Sequence, residues 1–428
     1  RLSDTQKEAD FADAQTQDVL DYLNAENAYT KDKMAHTETF QKNLFEEMKG
    51  RIKEDDESVP YKKNGYYYIT RYEKGGEYTI HSRKKESLDA EDEVLLNVNE
   101  LAKGYDYYAT GGLSVSPNNN ILAFGEDTVS RRQYNIRFKN LETGEYLEDR
   151  IGNTTGGVAW ANDNKTVFYT KKDPQTLRSN QIYRHVLGTS VDEDVLIFEE
   201  QDETFYSYVY RMKSGKYSVI GSSSTMSDEV RILDADNPTG EFSVFQTRER
   251  GLEYGITHIE DKFYILTNAD GATNFKVMSC DVNNTSKANW KEEIAHRPET
   301  LVEGVEMFKK FMVVSERTNG LINLRVMNKE TNDEHYIEFD EQTYSTGTSV
   351  NLDFESEVLR ISYTSLTTPS SVIDYNMVTK EKTVLKEQEV LGGKFDKNNY
   401  TAERIMAIAP DGVQVPISLV YRKDIDRT

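Results

Sequence analysis

The side chains of this chain that could act on a substrate are few, and each group fails a test of spacing. A serine nucleophile raised on a strand-to-helix elbow needs Gly-x-Ser-x-Gly, because small residues on both sides let the backbone turn sharply. No such string occurs, since Gly112-Leu113-Ser114 and Gly221-Ser222-Ser223-Ser224 both lack the second glycine. His36, His81, His185, His258, His296 and His335 stand far apart, with no His-x-x-x-His pair and no carboxylate at ligand spacing, so metal or general-base chemistry is not expected of them. Asp234-Ala235-Asp236 opens like a calcium loop, but Pro238 and the misplaced Gly240 break its spacing, and it reads as a turn. The expectation is a chain with no catalytic residue, no metal and no cofactor.

Charge is what remains. Asp and Glu number 74 against 52 Lys and Arg, for a formal charge of −22. Such a chain repels phosphate backbones and attracts basic ligands, which argues against nucleic acid as a partner. On charge alone, acidity that merely keeps the protein soluble is the more economical reading. If a cleft is lined by one sign of charge, however, it concentrates ligands of the other. The acids placed for such steering are Glu203, Glu253, Glu303, Glu306 and Asp353, and plain solvation of an exposed face competes for each of them.

Those positions depend on the elements that carry them. The stretch 344–389 reads as four short strands, over 349–354, 358–363, 371–375 and 382–385, joined by polar turns. Similar units begin near Ser58, Gly111, Gly156, Thr204, Glu253, Val302 and Thr348, spaced 45 to 53 residues apart. One four-stranded meander cannot bury both faces, so the copies must stack on one another. The pattern predicts a mainly β fold, a seven-bladed propeller of four-stranded antiparallel blades over 58–390. Asn64-Gly65, Asn118-Asn119-Asn120, Asn162-Asp163-Asn164 and Ser214-Gly215 supply turns after the first strands. Blade one takes its strands from 58–62, 66–72, 77–83 and 93–97, and no strand of either terminus is needed by the other. The ring should therefore close by side-chain packing without a shared β-ladder, leaving a seam that parts more easily.

Both ends differ in texture. Over 1–57, Val19, Leu20, Leu23, Phe40, Leu44, Met48 and Ile52 fall near helical spacing, uninterrupted by Gly or Pro from Thr16 to Lys49, which predicts an amphipathic arm of two helices. Lys53-Glu54-Asp55-Asp56-Glu57 follows as a polar linker. Over 391–428, Gly392-Gly393 and Asn398-Asn399 mark a second linker, and 401–409 and 413–421 read as a hairpin around Pro410-Asp411-Gly412 that opens another domain. Arg1 is not an initiator Met, so a processed or cut chain is expected, and no apolar run approaches the length of a membrane span. The single Cys280 rules out a disulfide framework and points to a reducing, cytoplasmic compartment, with the periplasm left open if a leader preceded Arg1.

Several strings also resemble a known family. Val19-Leu20-Asp21-Tyr22-Leu23-Asn24-Ala25-Glu26-Asn27, Ser130-Arg131-Arg132-Gln133-Tyr134-Asn135-Ile136-Arg137-Phe138, Asn140-Leu141-Glu142-Thr143-Gly144, Ser365-Leu366-Thr367-Thr368-Pro369 and Pro410-Asp411-Gly412-Val413-Gln414-Val415-Pro416 are similar to the prolyl oligopeptidase family of serine peptidases, in its oligopeptidase B branch. The resemblance implies a propeller inserted near the front of an α/β-hydrolase domain that cleaves short peptides after Arg or Lys, with Ser, Asp and His all beyond the propeller. It implies that the arm and the hairpin belong with that domain, and that the propeller covers the active site so that only peptides enter. Two crossings then act as hinges, Lys53-Glu54-Asp55-Asp56-Glu57-Ser58-Val59 and Asn398-Asn399-Tyr400-Thr401-Ala402-Glu403-Arg404. Arg131 and Arg132 would form ion pairs across the domain interface, unless they are simply two exposed loop arginines. The expected partners are the α/β-hydrolase domain and short basic peptides. The competing reading is a free-standing propeller that binds a protein or peptide, because the fold alone decides little.

Overall fold

A computed structural model of the chain describes residues 14–426. Two compact units are present, one made of the described residues up to Lys53 with Glu389–Phe395, the other of Glu54–Gln388 with the residues from Asp396 onward.

The first unit holds helix α1 (Ala14–Met34) and helix α2 (Glu38–Lys49), joined by a single tighter turn over Ala35–Thr37. The Thr37 hydroxyl donates to the Met34 carbonyl at 2.6 Å and accepts from Gln41 at 2.7 Å, which stitches the two helices together. The apolar stripe is there but unburied: Phe40 is 65% exposed and Leu44 40%. Lys53 pairs with Glu389 at 3.4 Å within the same unit.

Strands dominate the second unit. They form one five-stranded sheet over 56–97, one seven-stranded sheet over 109–199, and four four-stranded sheets over 206–246, 254–294, 300–336 and 344–387, followed by the hairpin Tyr400–Ile408 with Gln414–Arg422. This is a β-propeller, but the expected seven four-stranded blades are corrected. Five sheets stand as discrete blades, one of them five-stranded, and the segment expected to make blades two and three is one continuous seven-stranded sheet.

The physical reason is a strand that does not turn. Tyr146–Trp160 runs for 15 residues, pairing with Tyr134–Asn140 along its first half and with Thr166–Lys172 along its second, and Thr154 takes part in both ladders. Three glycines let it bend instead of breaking. Gly156 has φ +93°, and a Cβ on Gly125 or Gly112 would fall 2.5 Å or 2.3 Å from Gly156 backbone atoms. Only residues without a side chain allow backbones to approach so closely.

Two smaller expectations also shift. The inner strand of the last sheet is Tyr344–Thr348 rather than 349–354, because the Asn351 side chain occupies the ladder positions of Arg360, accepting its N–H at 2.7 Å and donating to its carbonyl at 2.9 Å. The inner strand of the first sheet is split into Asp56–Glu57 and Tyr61–Lys63 around Pro60, which has no N–H to give.

Neighbouring sheets are glued by buried apolar side chains. Phe245, Phe263 and Trp290 lock the sheets over 206–246 and 254–294, while Phe308, Leu359 and Tyr375 lock those over 300–336 and 344–387. Each fully buried large side chain contributes roughly 1.5–3 kcal/mol. The junction of the first and last sheets is different. No described apolar cluster spans it, and no strand is shared across it.

Candidate functional site

In each sheet the inner strand runs away from the side on which the chain enters, so inner-strand C-termini gather on a far face. The chain enters the propeller at Asp56 and completes it at Glu387, and Lys386 Nζ lies 2.7 and 2.8 Å from the Asp56 carboxylate oxygens. Entrance and exit therefore share one face.

The expected steering acids divide between the two faces. Glu203 is exposed and precedes the inner strand Tyr206–Arg211, and Glu253 immediately precedes Tyr254–Ile259 and accepts from Asn268 Nδ2 at 3.1 Å. These two belong to the entry face, as does Glu303 in the first half of Thr300–Met307, held by Arg317 through bonds of 2.5 and 3.3 Å. Glu306 and Asp353 belong to the far face and are already neutralised. Glu306 pairs with Lys213 at 2.6 Å and Asp353 with Lys62 at 3.0 Å.

The far face carries the functional geometry that spacing alone did not reveal. Lys213, from the sheet over 206–246, reaches past the intervening sheet to Glu306 and sits 4.0 Å from the Phe308 ring centroid, both in the sheet over 300–336. It thereby bars the inner mouth. Burial pulls the Lys213 ammonium below its ordinary value, against Glu306 and Asp353, which hold it up. Next to it, Arg211 donates to Asn162 Oδ1 at 2.5 Å and to the Gly215 carbonyl at 3.0 Å, while its Nε is buried without a partner. The signal that could have found these groups is their place: Lys62-Lys63 and Arg211-Met212-Lys213 both close an inner strand just before a glycine turn.

The seam between first and last sheets is open. A cavity of about 630 Å³ lies there, lined by Val59, Tyr61, Val350, Tyr363 and Val372 together with hydroxyl-bearing residues such as Ser58, Thr70 and Ser362. Arg360 bridges it: two bonds to Asp374, at 2.8 and 3.0 Å, hold its guanidinium while Nη1 donates to the Pro60 carbonyl at 2.5 Å.

Among the expected hinge residues, Glu54 and Asp55 are exposed, Asp56 and Glu57 pair with Tyr72 and Arg71, and Ser58 exchanges bonds of 2.7 and 2.9 Å with Thr70. Val59 lines the seam cavity and Lys53 lies in the first unit. On the other crossing, Asn398 and Asn399 sit in a short helical turn, and Tyr400, Thr401, Ala402, Glu403 and Arg404 form the start of the hairpin strand. Arg404 N–H donates to Gln342 Oε1 at 3.2 Å.

Arg131 and Arg132 are exposed on an entry-face loop held open by left-handed residues, Ser130 at φ 60° and Arg132 at φ 55°. The buried Asp127 carboxylate pins that loop by accepting from Val129 N at 2.9 Å and Arg132 N at 2.6 Å. Among the described residues no group of three or more His, Cys, Asp and Glu could hold a metal ion, and no helix is long and apolar enough to cross a membrane.

Known proteins match this architecture throughout. Residues 11–388 match the family described as prolyl oligopeptidase, N-terminal beta-propeller domain. The dipeptidyl aminopeptidase BI of Pseudoxanthomonas mexicana is 43% identical, covering 96% of this chain and 59% of that protein; protease 2 of Moraxella lacunata is 31% identical with the same coverage. Oligopeptidase B of Leishmania major and that of Trypanosoma brucei, the latter with covalently bound antipain, superpose with TM-scores of 0.86 and 0.87 at 29% identity, covering 95% and 100% of this chain and 59% and 60% of those chains. The chain thus spans about three-fifths of the length of the relatives it matches. With its propeller of antiparallel sheets, its helices before it and its hairpin after it, the chain belongs to the prolyl oligopeptidase family of peptidases.

Proposed function

We propose that this chain is the non-catalytic part of a serine oligopeptidase, in which the propeller admits short peptides and excludes folded proteins, and that the whole enzyme cleaves after Arg or Lys. The observation that supports this most is the placement of both crossings on one face. A propeller entered and left on one face leaves that face to receive a partner domain and the other face free. The Lys213–Glu306 bar at the far mouth supports the same reading, since it narrows the other way in.

On this reading the catalytic α/β-hydrolase domain is the partner of the exposed apolar arm and of the hairpin Tyr400–Ile408 with Gln414–Arg422. The residues at Lys53–Val59 and Asn398–Arg404 are the two hinges. Arg131 and Arg132 face the interface from the entry side, together with Glu203 and Glu253, which draw basic peptides inward. The choice of Arg or Lys rests on the likeness to protease 2 and the two oligopeptidase B structures.

Hydrolysis of an Arg-Arg fluorogenic peptide tests the proposal, measured for the 428-residue chain and for the polypeptide extended through the next domain. The expected result is cleavage by the extended form alone, with an active-site serine reagent labelling only that form, and no cleavage of a folded basic protein. Cleavage by the shorter chain would sink the non-catalytic assignment. A preference for residues other than Arg or Lys would remove the specificity.

A further inference from the structure

A peptidase that cuts after Arg or Lys carries, in its own paired basic residues, strings that it could cut. In the propeller, Lys62-Lys63, Arg83-Lys84-Lys85 and Lys171-Lys172 lie in strands, where the ladders hold their peptide groups, and Lys309-Lys310 lies in a far-face turn. Among these described pairs, only Arg131-Arg132 lies in an entry-face loop, with both residues exposed. Exposed loop tips are the preferred places for a chain to be nicked. We propose, on the peptidase reading given above, that Arg131-Arg132 is a latent self-cleavage site of the whole enzyme, kept uncut by the Asp127 carboxylate and the Lys172 ammonium.

Both bonds that follow these arginines are held at an atom that hydrolysis must move. Cleavage after Arg131 breaks the bond from its carbonyl carbon to Arg132 N; the hydroxyl of a water molecule goes to that carbon and the remaining proton to the departing nitrogen. The hydrogen on Arg132 N is committed to Asp127 Oδ2 at 2.6 Å, and Oδ1 of the same buried carboxylate takes the Val129 N–H at 2.9 Å. Cleavage after Arg132 breaks the bond to Gln133 in the same way, and the Arg132 carbonyl oxygen must then turn to the donors that stabilise its developing charge. Lys172 Nζ holds that oxygen at 2.5 Å, against the end of the strand Thr166–Lys172. The backbone is also curled. Left-handed φ at Ser130 (60°) and at Arg132 (55°) keeps the loop from lying extended, so neither bond is presented in the aligned geometry that attack requires.

The test uses the full-length polypeptide as wild type, Lys172→Met, Asp127→Asn, and Lys172→Met combined with Arg131→Gln and Arg132→Gln. Each is incubated alone and followed by mass spectrometry and amide exchange, beside hydrolysis of an Arg-Arg peptide. Expected are exchange at the Val129 and Arg132 amides about ten-fold or more faster in Asp127→Asn, and cutting after Arg131 or Arg132 about ten-fold or more faster in both single variants than in wild type. An active-site serine reagent should stop the cut, and so should the two Gln substitutions. Lys172 is only half-buried at a strand end, so its variant tests the site even where Asp127→Asn does not fold. Single variants that hydrolyse the Arg-Arg peptide yet stay whole would overturn the proposal and leave the peptidase reading standing. Unchanged exchange in Asp127→Asn, cutting that persists after the serine reagent, or cuts scattered over many basic residues would also overturn it. Failure of every form to hydrolyse the Arg-Arg peptide would remove the peptidase reading itself, and the self-cleavage site with it.

Discussion

Arg360→Met is the substitution that most directly probes how the ring is closed. The Arg360 side chain is 16% exposed, is clamped by both oxygens of Asp374, and gives its remaining amine to the Pro60 carbonyl, 300 residues away in sequence. Methionine keeps most of the stem volume and removes every one of these bonds. Losing the charged donor to Pro60 costs about 1.5–3 kcal/mol, so the seam should open about 10- to 150-fold more often. The other bridge, Lys386 to Asp56, is about one-third exposed on each side and, as a solvent-screened pair, adds at most about 1 kcal/mol. No described apolar cluster spans the junction to make up the difference.

Amide hydrogen exchange followed by mass spectrometry on the full-length polypeptide reads this directly. Exchange should quicken in the first sheet, at Tyr61–Lys63 and Tyr66–Tyr72, and stay unchanged at Lys262–Thr267 on the opposite side of the ring. Raising the salt concentration should quicken the same first-sheet peptides slightly in the unaltered protein. Acceleration confined to Val358–Ser365, the strand carrying Arg360, would refute the reasoning, since the first sheet would then be held by something other than these polar bridges.

Other expectations are more local. Reversing Glu203 and Glu253 together to Lys should lower the on-rate of dibasic peptides about ten-fold at low salt and flatten its salt dependence, whereas an unchanged rate would show that these acids are only solvated. Gly156→Val should destabilise the seven-stranded sheet by about 3 kcal/mol or more, seen in chemical denaturation, because a Cβ there meets the Tyr134 ring at 2.9 Å at a φ of +93°. Although burial pushes the Glu341 carboxyl upward, four hydroxyls, led by Thr367 and followed by Tyr363, Ser365 and Thr368, hold it below its ordinary value. Its folded-state pKa is thus depressed, so its stabilisation is present above the unfolded value and fades as pH falls through the folded one. Glu341→Gln should accordingly lessen the loss of stability between neutral and acidic pH, measured by thermal unfolding across that range. Burial pushes the Cys280 thiol up to about 11, so a thiol reagent at pH 8 should label it only as the protein unfolds; prompt labelling of native protein would contradict its buried position.

Much of the architecture was legible because it is periodic. Alternating strands with glycine and asparagine turns announced stacked β-sheets, and the helical spacing from Val19 to Met48 announced the arm. What escaped depends on contacts that no local pattern records. Residues 349–354 alternate like a strand, yet the Asn351 amide takes the place of the ladder. Gly156 reads as the start of a new unit, but against Gly112 and Gly125 it lets a long strand bend without a turn. The ion pair of Glu306 is hidden for the same reason. Glu306 looks like a free acid until Lys213, 93 residues earlier, is found against it.

The common face of entrance and exit also bears on how the chain is made. All the residues from Asp56 to Glu387 intervene between the arm and the hairpin strands. At about 5–20 residues per second, a ribosome needs roughly 17 to 70 seconds to pass through them. During that interval the arm is already outside the ribosome with Phe40, Phe45 and Met48 uncovered. The propeller can mature sheet by sheet as it emerges, since each sheet pairs only strands close together in the chain. If, as proposed, the arm docks on a domain that follows the propeller, it waits for that domain, and its apolar side chains are where a chaperone would hold the nascent polypeptide.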